Sequence, residues 1–491
     1  MRGKMELYVS EFSKYVMALL IVLYTYECFA VFRYDEEERR GGIYTRQKLL
    51  IFAFHFSSFL VICFETGDIT YLFFYAFQQI VLYAAAALFG MLYPRINRIL
   101  INNMCMLLSI GFVILTRLDL NKAVKQFIIV TGSLIVALII PFFMHKFSFL
   151  KNLKWIYALV GIAALSIVMI LGQTTYGSKL SYSIAGVTFQ PSEFVKILFV
   201  FFMAGALHQS SGFFEVFTTA VIAAAHVVVQ VLSKDLGSAL IFFIVYVLMV
   251  FVASRNYFYL FAGFAGGSLA AYIAYKVFTH VQIRVQAWQD PWSLIDSAGG
   301  YQITQSLFAI SSGGWFGLGL YKGTPESIPV VETDFIFSAI AEEMGILFAV
   351  CLILICVSSF IMFMKIASGL SDKFYQLIAF GLGVTYIFQI FLTIGGGTKF
   401  IPLTGVTLPL ISYGGSSVLT TLAMFSIAGG LQIIMQDEED REKEERKKRI
   451  AVKKKRKKAA ISKTRPLTAE YNEEDVSEYQ ADKDLYDEEE R

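Results

Sequence analysis

Ionisable residues placed where apolar runs meet polar connections are the ones whose types suit chemistry. Asp334, in Glu332-Thr333-Asp334-Phe335-Ile336-Phe337, stands where a long polar connection enters an apolar run. A carboxylate there meets water and low dielectric together. Partial desolvation raises its pKa toward the range that a general base for a sugar hydroxyl needs. The structural alternative for the same residue is a helix cap. Glu342 and Glu343 lie about two turns deeper in the same run. Charge inside a membrane is costly, so both are candidate functional groups, and one of them is expected to pair with a basic residue.

Glu193 and Lys196 are three apart and share a helix face, where they pair with each other or divide between other partners. Gln190-Pro191-Ser192 before them reads as a helix start, with proline pre-set for the first turn. Asp235, in Ser233-Lys234-Asp235-Leu236-Gly237-Ser238, opens another turn, with capping as its structural reading. Gln302, Gln305 and Ser306 recur at helical spacing and predict one polar stripe on a short, half-buried or re-entrant helix. Arg117, Glu193, Lys196, Asp235 and Asp334 together predict a mouth of cations and carboxylates. Such a mouth suits a substrate with a pyrophosphate head and a lipid tail, and a proton or ion relay would use the same residues.

Other constellations carry less. Ser311 to Gly323 is glycine-rich but lacks the Gly-Lys-Ser/Thr ending and the preceding strand of a phosphate-cradling loop, so a nucleotide site is rejected. The five histidines are scattered without metal spacing, and the five cysteines lie inside apolar runs. No bound structural metal is expected. A divalent cation assisting a pyrophosphate leaving group is left open, although no dedicated ligand cluster is visible. No nucleic-acid partner is expected.

The elements that must position these residues are membrane helices. Of the 491 residues, 56% are hydrophobic, with a mean hydropathy of +0.60, far above the globular norm. Spanning helices need about 20 apolar residues, and roughly thirteen such runs are present, centred near residues 23, 57, 81, 108, 135, 163, 199, 223, 244, 268, 350, 385 and 424. An all-α polytopic membrane protein, helical throughout, follows. The first run, Tyr15 to Phe32, is followed by charged residues and no small-residue cleavage site, so it is read as a retained helix.

Arg33, Arg39, Arg40, Arg46 and Lys48, then Arg95 and Arg98, then Lys146, Lys151 and Lys154 mark cytoplasmic connections. Alternation then places residues 66–70, 175–189, 280–334 and 395–409 outside and the carboxy terminus inside. Arg117, Lys122 and Lys125 fall on the outer side against the bias, which invites a functional reason. The long extracellular loop 280–334 is the first place to look for function. Residues 437–491 have an acidic start, a basic block and an acidic end, and are expected to be a charged cytoplasmic tail, disordered in water.

Five ordered segments resemble the SEDS family (shape, elongation, division and sporulation), which includes FtsW, RodA and SpoVE. They are Phe189 to Lys196, Asp235 to Ala239, Gly300 to Ser306, Thr333 to Phe337 with Ala341 to Gly345, and Pro402 to Gly405 followed by Ser412 to Ser417. The resemblance implies a core of about ten helices over residues 96–436. Residues 1–95 would then carry three additional helices.

It also implies a peptidoglycan glycosyltransferase in the bacterial plasma membrane, which polymerises lipid II and releases undecaprenyl pyrophosphate in elongation, division or sporulation. Its partner would be a class B penicillin-binding protein. The family's essential aspartate falls on Asp334, as base for the acceptor's 4-hydroxyl, while Arg117, in Leu115-Thr116-Arg117-Leu118, with Lys196 would hold donor pyrophosphate. Departures from the family pattern lie at the outer mouth: Ser233-Lys234 before Asp235, Ile328-Pro329-Val330, and Thr393. The competing readings are a lipid-linked precursor flippase or transporter, in which Glu193, Lys196, Glu342 and Glu343 matter most, and a scaffold without chemistry.

Overall fold

The computed structural model describes residues 2–464, apart from 35, 147, 176–177, 185–186 and 297. Fifteen α-helices carry the described chain: α1 (Arg2–Ala30), α2 (Glu37–Thr66), α3 (Thr70–Leu92), α4 (Arg98–Leu118), α5 (Leu120–Lys146), α6 (Lys154–Leu171), α7 (Pro191–Leu207), α8 (Phe213–Leu232), α9 (Leu236–Ser254), α10 (Tyr257–Val277), α11 (Thr279–Gln289), α12 (Ala298–Gly313), α13 (Ile336–Gly369), α14 (Lys373–Gly397) and α15 (Gly415–Thr464). Twelve of them are long and apolar enough to cross a membrane. At 17 residues, α7 is shorter. Every expected run centre falls inside a helix, because backbone in hydrocarbon must satisfy its own hydrogen bonds.

Helix boundaries follow local chemistry. Asn97, Asp235, Asn256 and Asp372 each cap the helix that follows by accepting backbone N–H groups. Pro191 occupies the first turn of α7, where no N–H is needed. The whole spanning window of α4 is buried inside the bundle, whereas α10 buries none of its own. Core helices α4, α13 and α14 therefore pack on protein, and α10 presents its side chains outward.

Connections that alternate along the chain meet on one face. Glu65, Arg117, Lys122, Gln190, Asp235, Arg284, Thr404 and Ser416 are joined there by side-chain contacts to one another or to residues 322–332 and 403–404. The opposite face gathers Lys151 with Asp372, and Lys373 on the carbonyl of Ala253. The glycosidic or transport chemistry suggested by the sequence has its candidate residues on the first face.

One expectation needs correction. The fold is all-α as expected but not helical throughout: between α6 and α7 lie three short antiparallel strands, β1 (Gln173–Thr175), β2 (Ser178–Ile184) and β3 (Val187–Phe189), in the order β1-β2-β3. The chain there lies between spanning helices, where hairpin pairing satisfies the backbone instead. Helix α15 continues past Gln436 into the charged segment, as far as Thr464. Its sequence is rich in Glu, Lys and Arg, strong helix formers that need no apolar face, and Glu445 and Arg449 pair one turn apart. Residues 1–436 and 437–491 form two separate units, and residues 465–491 lie outside the described part.

Candidate active site

Asp334 sits on a clamped turn, not at a helix cap. The N-cap of α13 is Phe335, and no side chain caps that helix. Upstream, the carbonyl of Val330 accepts from the Thr333 N–H, the Thr333 hydroxyl and the Asp334 N–H at 3.1, 3.0 and 3.3 Å. Val330 adopts a φ of 54°, a left-handed conformation that is costly for a β-branched residue and persists only where the surroundings over-determine it. Those surroundings are present. Ser412 donates to the Thr333 carbonyl at 2.5 Å, the Tyr413 N–H donates to the Glu332 carbonyl at 2.8 Å, and Lys122 pairs with Glu332.

The Asp334 carboxyl is half-buried. Desolvation pushes it up to about 6, while the Thr333 hydroxyl and the Arg284 guanidinium pull the other way. It faces the connection between α14 and α15, where Gly405 has a φ of 74° and a Cβ on it would lie 3.6 Å from Asp334 Oδ2. A glycine gives the backbone both that conformation and close approach to the carboxylate.

Arg284, on α11, ties this connection down by donating to the carbonyls of Leu403 and Thr404 at 3.2 and 3.1 Å. Trp288, one turn on, donates to the Lys399 carbonyl at 3.1 Å. Burial lowers the Arg284 pKa against the upward pull of Asp235 and Asp334, so the guanidinium lies within electrostatic reach of both carboxylates. Asp235 caps α9 through the Ser238 N–H at 3.0 Å, and its other oxygen accepts from Gln190 and Ser192, each at 3.4 Å. The cap reading of Asp235 therefore holds together with its place at the mouth.

Glu193 and Lys196 are buried and pair at 2.9 Å, and Lys196 also donates to Gln389 at 2.7 Å. Gln389 in turn donates to the Thr407 carbonyl at 3.1 Å. Asp235, Arg284, Asp334 and the Lys196 pair thus gather around one segment, residues 398–414.

Arg117 belongs to a second cluster. Its Nε donates to Glu343 at 2.9 Å, Glu326 takes a terminal nitrogen, the Gly323 carbonyl accepts at 3.3 Å, and the Tyr321 ring lies 4.5 Å away. The expected partner for one of the paired glutamates is found: Glu343 with Arg117. The Tyr321 N–H donates to Glu343 and the Thr324 N–H to Glu342, at 3.1 and 2.9 Å. The guanidinium charge is locally neutralised, so its first visible task is to hold the outer segment 314–327. Both Gln302 and Gln305 are half-buried on α12, and Gln305 lines a cleft of about 260 Å³ with Ser312, Lys322, Thr324, Ser327 and Glu342. Ser306, from the same expected stripe, is buried and donates to the Gly397 carbonyl at 2.7 Å.

Sequence reasoning passed over Arg284, Glu326 and Gln389. Arg284 stands alone in Val281-Gln282-Ile283-Arg284-Val285, and its only signal was a lone cation inside the long loop. Among the described residues no three His, Cys, Asp or Glu side chains come close enough to hold a metal ion.

The arrangement offers a half-buried carboxylate poised to take a proton, and a neighbouring guanidinium to steady negative charge. Residues 95–436 match the family model described as a cell cycle protein, that of FtsW, RodA and SpoVE. The chain is 32% identical over 367 residues to the peptidoglycan glycosyltransferase RodA of Mycobacterium tuberculosis, covering 68% of this chain and 77% of that one. Its fold is similar to a chain in the structure "Structural coordination of polymerization and crosslinking by a peptidoglycan synthase complex", with a TM-score of 0.59 at 23% identity over 70% of this chain and 98% of that one. It is also similar to the rod shape determining protein RodA of Thermus thermophilus, with a TM-score of 0.53 at 22% identity over 69% and 96% of the two chains.

Proposed function

The chain belongs to the cell cycle protein family of FtsW, RodA and SpoVE, and on that premise we propose that it is a peptidoglycan glycosyltransferase that polymerises lipid II in the membrane. The observation that carries the reading is Asp334: a carboxyl pushed up to about 6 by burial, relieved of any capping duty, on a clamped turn beside Gly405 and Arg284.

In the proposed reaction Asp334 accepts the proton of the acceptor sugar's 4-hydroxyl as that oxygen attacks the donor's anomeric carbon. The new glycosidic C–O bond forms as the bond from the anomeric carbon to the pyrophosphate oxygen breaks. Undecaprenyl pyrophosphate leaves with the electron pair, and configuration at the anomeric carbon inverts. A base with a pKa near 6 is mostly ionised at neutral pH and still strong enough to help an alcohol. Arg284 lies within electrostatic reach of the carboxylate, and a guanidinium suits the developing charge on the leaving group. Lys196, held between Glu193 and Gln389, and Asp235 line the region behind it. Arg117 contributes by fixing the outer segment, and Gln305 and Gln302 extend the substrate path along α12.

One similar structure comes from a complex that couples polymerization to crosslinking, which supports a class B penicillin-binding protein as partner here. The positive connections support a cytoplasmic carboxy terminus and an outer site, where lipid II emerges. The test is to reconstitute the full-length protein in vesicles with lipid II and its crosslinking partner. Lysozyme-sensitive polymer is the expected product. Translocation of labelled lipid II without polymer would replace this reading by the transporter.

A further inference from the structure

Helices α1 to α3 lie before the family match at 95–436, yet α1 and α2 are bolted into the core. Inside the bundle Tyr24 donates to Asn103 at 3.0 Å, Asn103 donates to Ser359 at 3.1 Å, and Asn102 donates to Gln47 at 2.8 Å. Unpaired polar groups are costly in hydrocarbon, so these bonds fix how α1 and α2 stand against α4 and α13. At the outer face the same unit reaches the glycine-rich segment. Glu65, at the end of α2, pairs with Lys322 at 3.0 Å, and the Tyr15 ring of α1 lies 5.1 Å from that of Phe316.

The grip falls on a segment already doing structural duty. Leu318 and Gly319 donate their N–H groups to the carbonyls of Glu342 and Glu343, each at 2.9 Å. Gly323 offers its carbonyl to Arg117, and Thr324 its N–H to Glu342. Lys322 stands between the two, lining the cleft that Glu342 closes. Its ammonium is therefore held from outside by Glu65 while its backbone neighbours hold Arg117 and Glu342. One oxygen of Glu342, a residue 95% buried at 5% exposure, has no hydrogen-bond partner, so the cleft retains one unused acceptor for a donor group of a ligand.

We propose that the N-terminal three-helix unit is a positioning element, with Glu65 and Lys322 as positioning residues that hold the outer segment in the shape that receives the lipid-linked substrate. The proposal rests on the glycosyltransferase reading for its substrate, but the grip on the segment stands on the contacts alone. A part-exposed ion pair contributes little to global stability, so its loss acts locally.

The test uses full-length protein in bilayers with Glu65→Gln, Lys322→Gln, the double variant, and the exchange Glu65→Lys with Lys322→Glu. Hydrogen exchange at the amides of Leu318, Tyr321 and Thr324 is expected to speed up in each single variant, to be no faster in the double, and to return toward wild type in the exchange. The KM for lipid II is expected to rise about two- to fivefold in the singles with kcat within about twofold, the size expected for loss of one such pair. Unchanged amide exchange in the singles overturns the proposal, as does a KM that tracks melting temperature and is not restored by the exchange. Wild type that makes no polymer while the amides respond as expected refutes the glycosyltransferase reading and leaves the positioning role standing.

Discussion

At the residue scale the proposed chemistry turns on how Asp334 is desolvated. Its raised pKa means the folded chain holds a proton that the unfolded chain has lost between roughly pH 4 and 6, so over that window stability falls as pH rises. Above it the ionised carboxylate sits where water cannot fully solvate it, and Asp334→Asn is expected to raise the melting temperature at pH 7.5. The catalytic sign is opposite. The base acts only when ionised, so kcat/KM of the wild type should climb through about pH 6 and level off above it. Arg284 favours the ionised form, and Arg284→Met should move that midpoint upward and lower the rate at neutral pH by about 10- to 100-fold. A midpoint unmoved by Arg284→Met would separate the two groups. Asp334 was legible in the sequence because a carboxylate at the edge of an apolar run is conspicuous. Arg284 was not, because a single cation on a short helix looks like a solvated face until the 398–414 segment folds over it. For Arg117 only the charge was legible, since its partners Glu326 and Glu343 lie more than 200 positions away.

At the element scale, a break in α13 explains the glycines. Gly345 has φ 89° and ψ 167°, which interrupts the helix and frees the carbonyls of Glu342 and Glu343. The glycine-rich segment answers with Leu318 and Gly319, while Ile346 and Leu347 donate back to the carbonyls of Gly314 and Trp315. Non-helical backbone at this depth is tolerated because protein satisfies it. A Cβ on Gly317 would fall 2.2 Å from the Glu343 carbonyl oxygen, and one on Gly266, on the outward-facing α10, would meet nothing within 4 Å. Gly317→Ala should therefore cost both thermal stability and polymerisation, whereas Gly266→Ala should leave stability within about 1 kcal/mol of wild type. Equal effects of the two in a thermal-unfolding assay would contradict the packing described for the segment. In the sequence the same glycines could only be refused as a phosphate loop. What they do instead depends on a kink at Gly345, hidden inside a long, mainly apolar run.

At the scale of the whole molecule, the apolar runs were readable as helices because a bilayer requires long apolar stretches: each of the thirteen expected centres falls in a helix, and twelve helices among the described residues are long and apolar enough to span. What joins them was not, because hydropathy says nothing about which helices touch. Asn103 is the clearest case: on α4, it accepts from Tyr24 and Cys28 and donates to Ser358 and Ser359, linking α1 to α4 and α13. Asn103→Leu leaves those hydroxyls without their partner, and should cost about 1–2 kcal/mol in the unfolding of the full chain in detergent. A neutral result would mean that α1 is held by apolar packing alone. The claim that the assembled molecule is a polymerase with Asp334 as its base meets its most direct test in one assay. Wild type and Asp334→Asn, each purified full-length with the crosslinking partner and matched for folding, are given lipid II and their glycan products compared. The expected result is polymer from the wild type and a loss of at least about 100-fold from the variant; normal polymerisation by Asp334→Asn would contradict the mechanism.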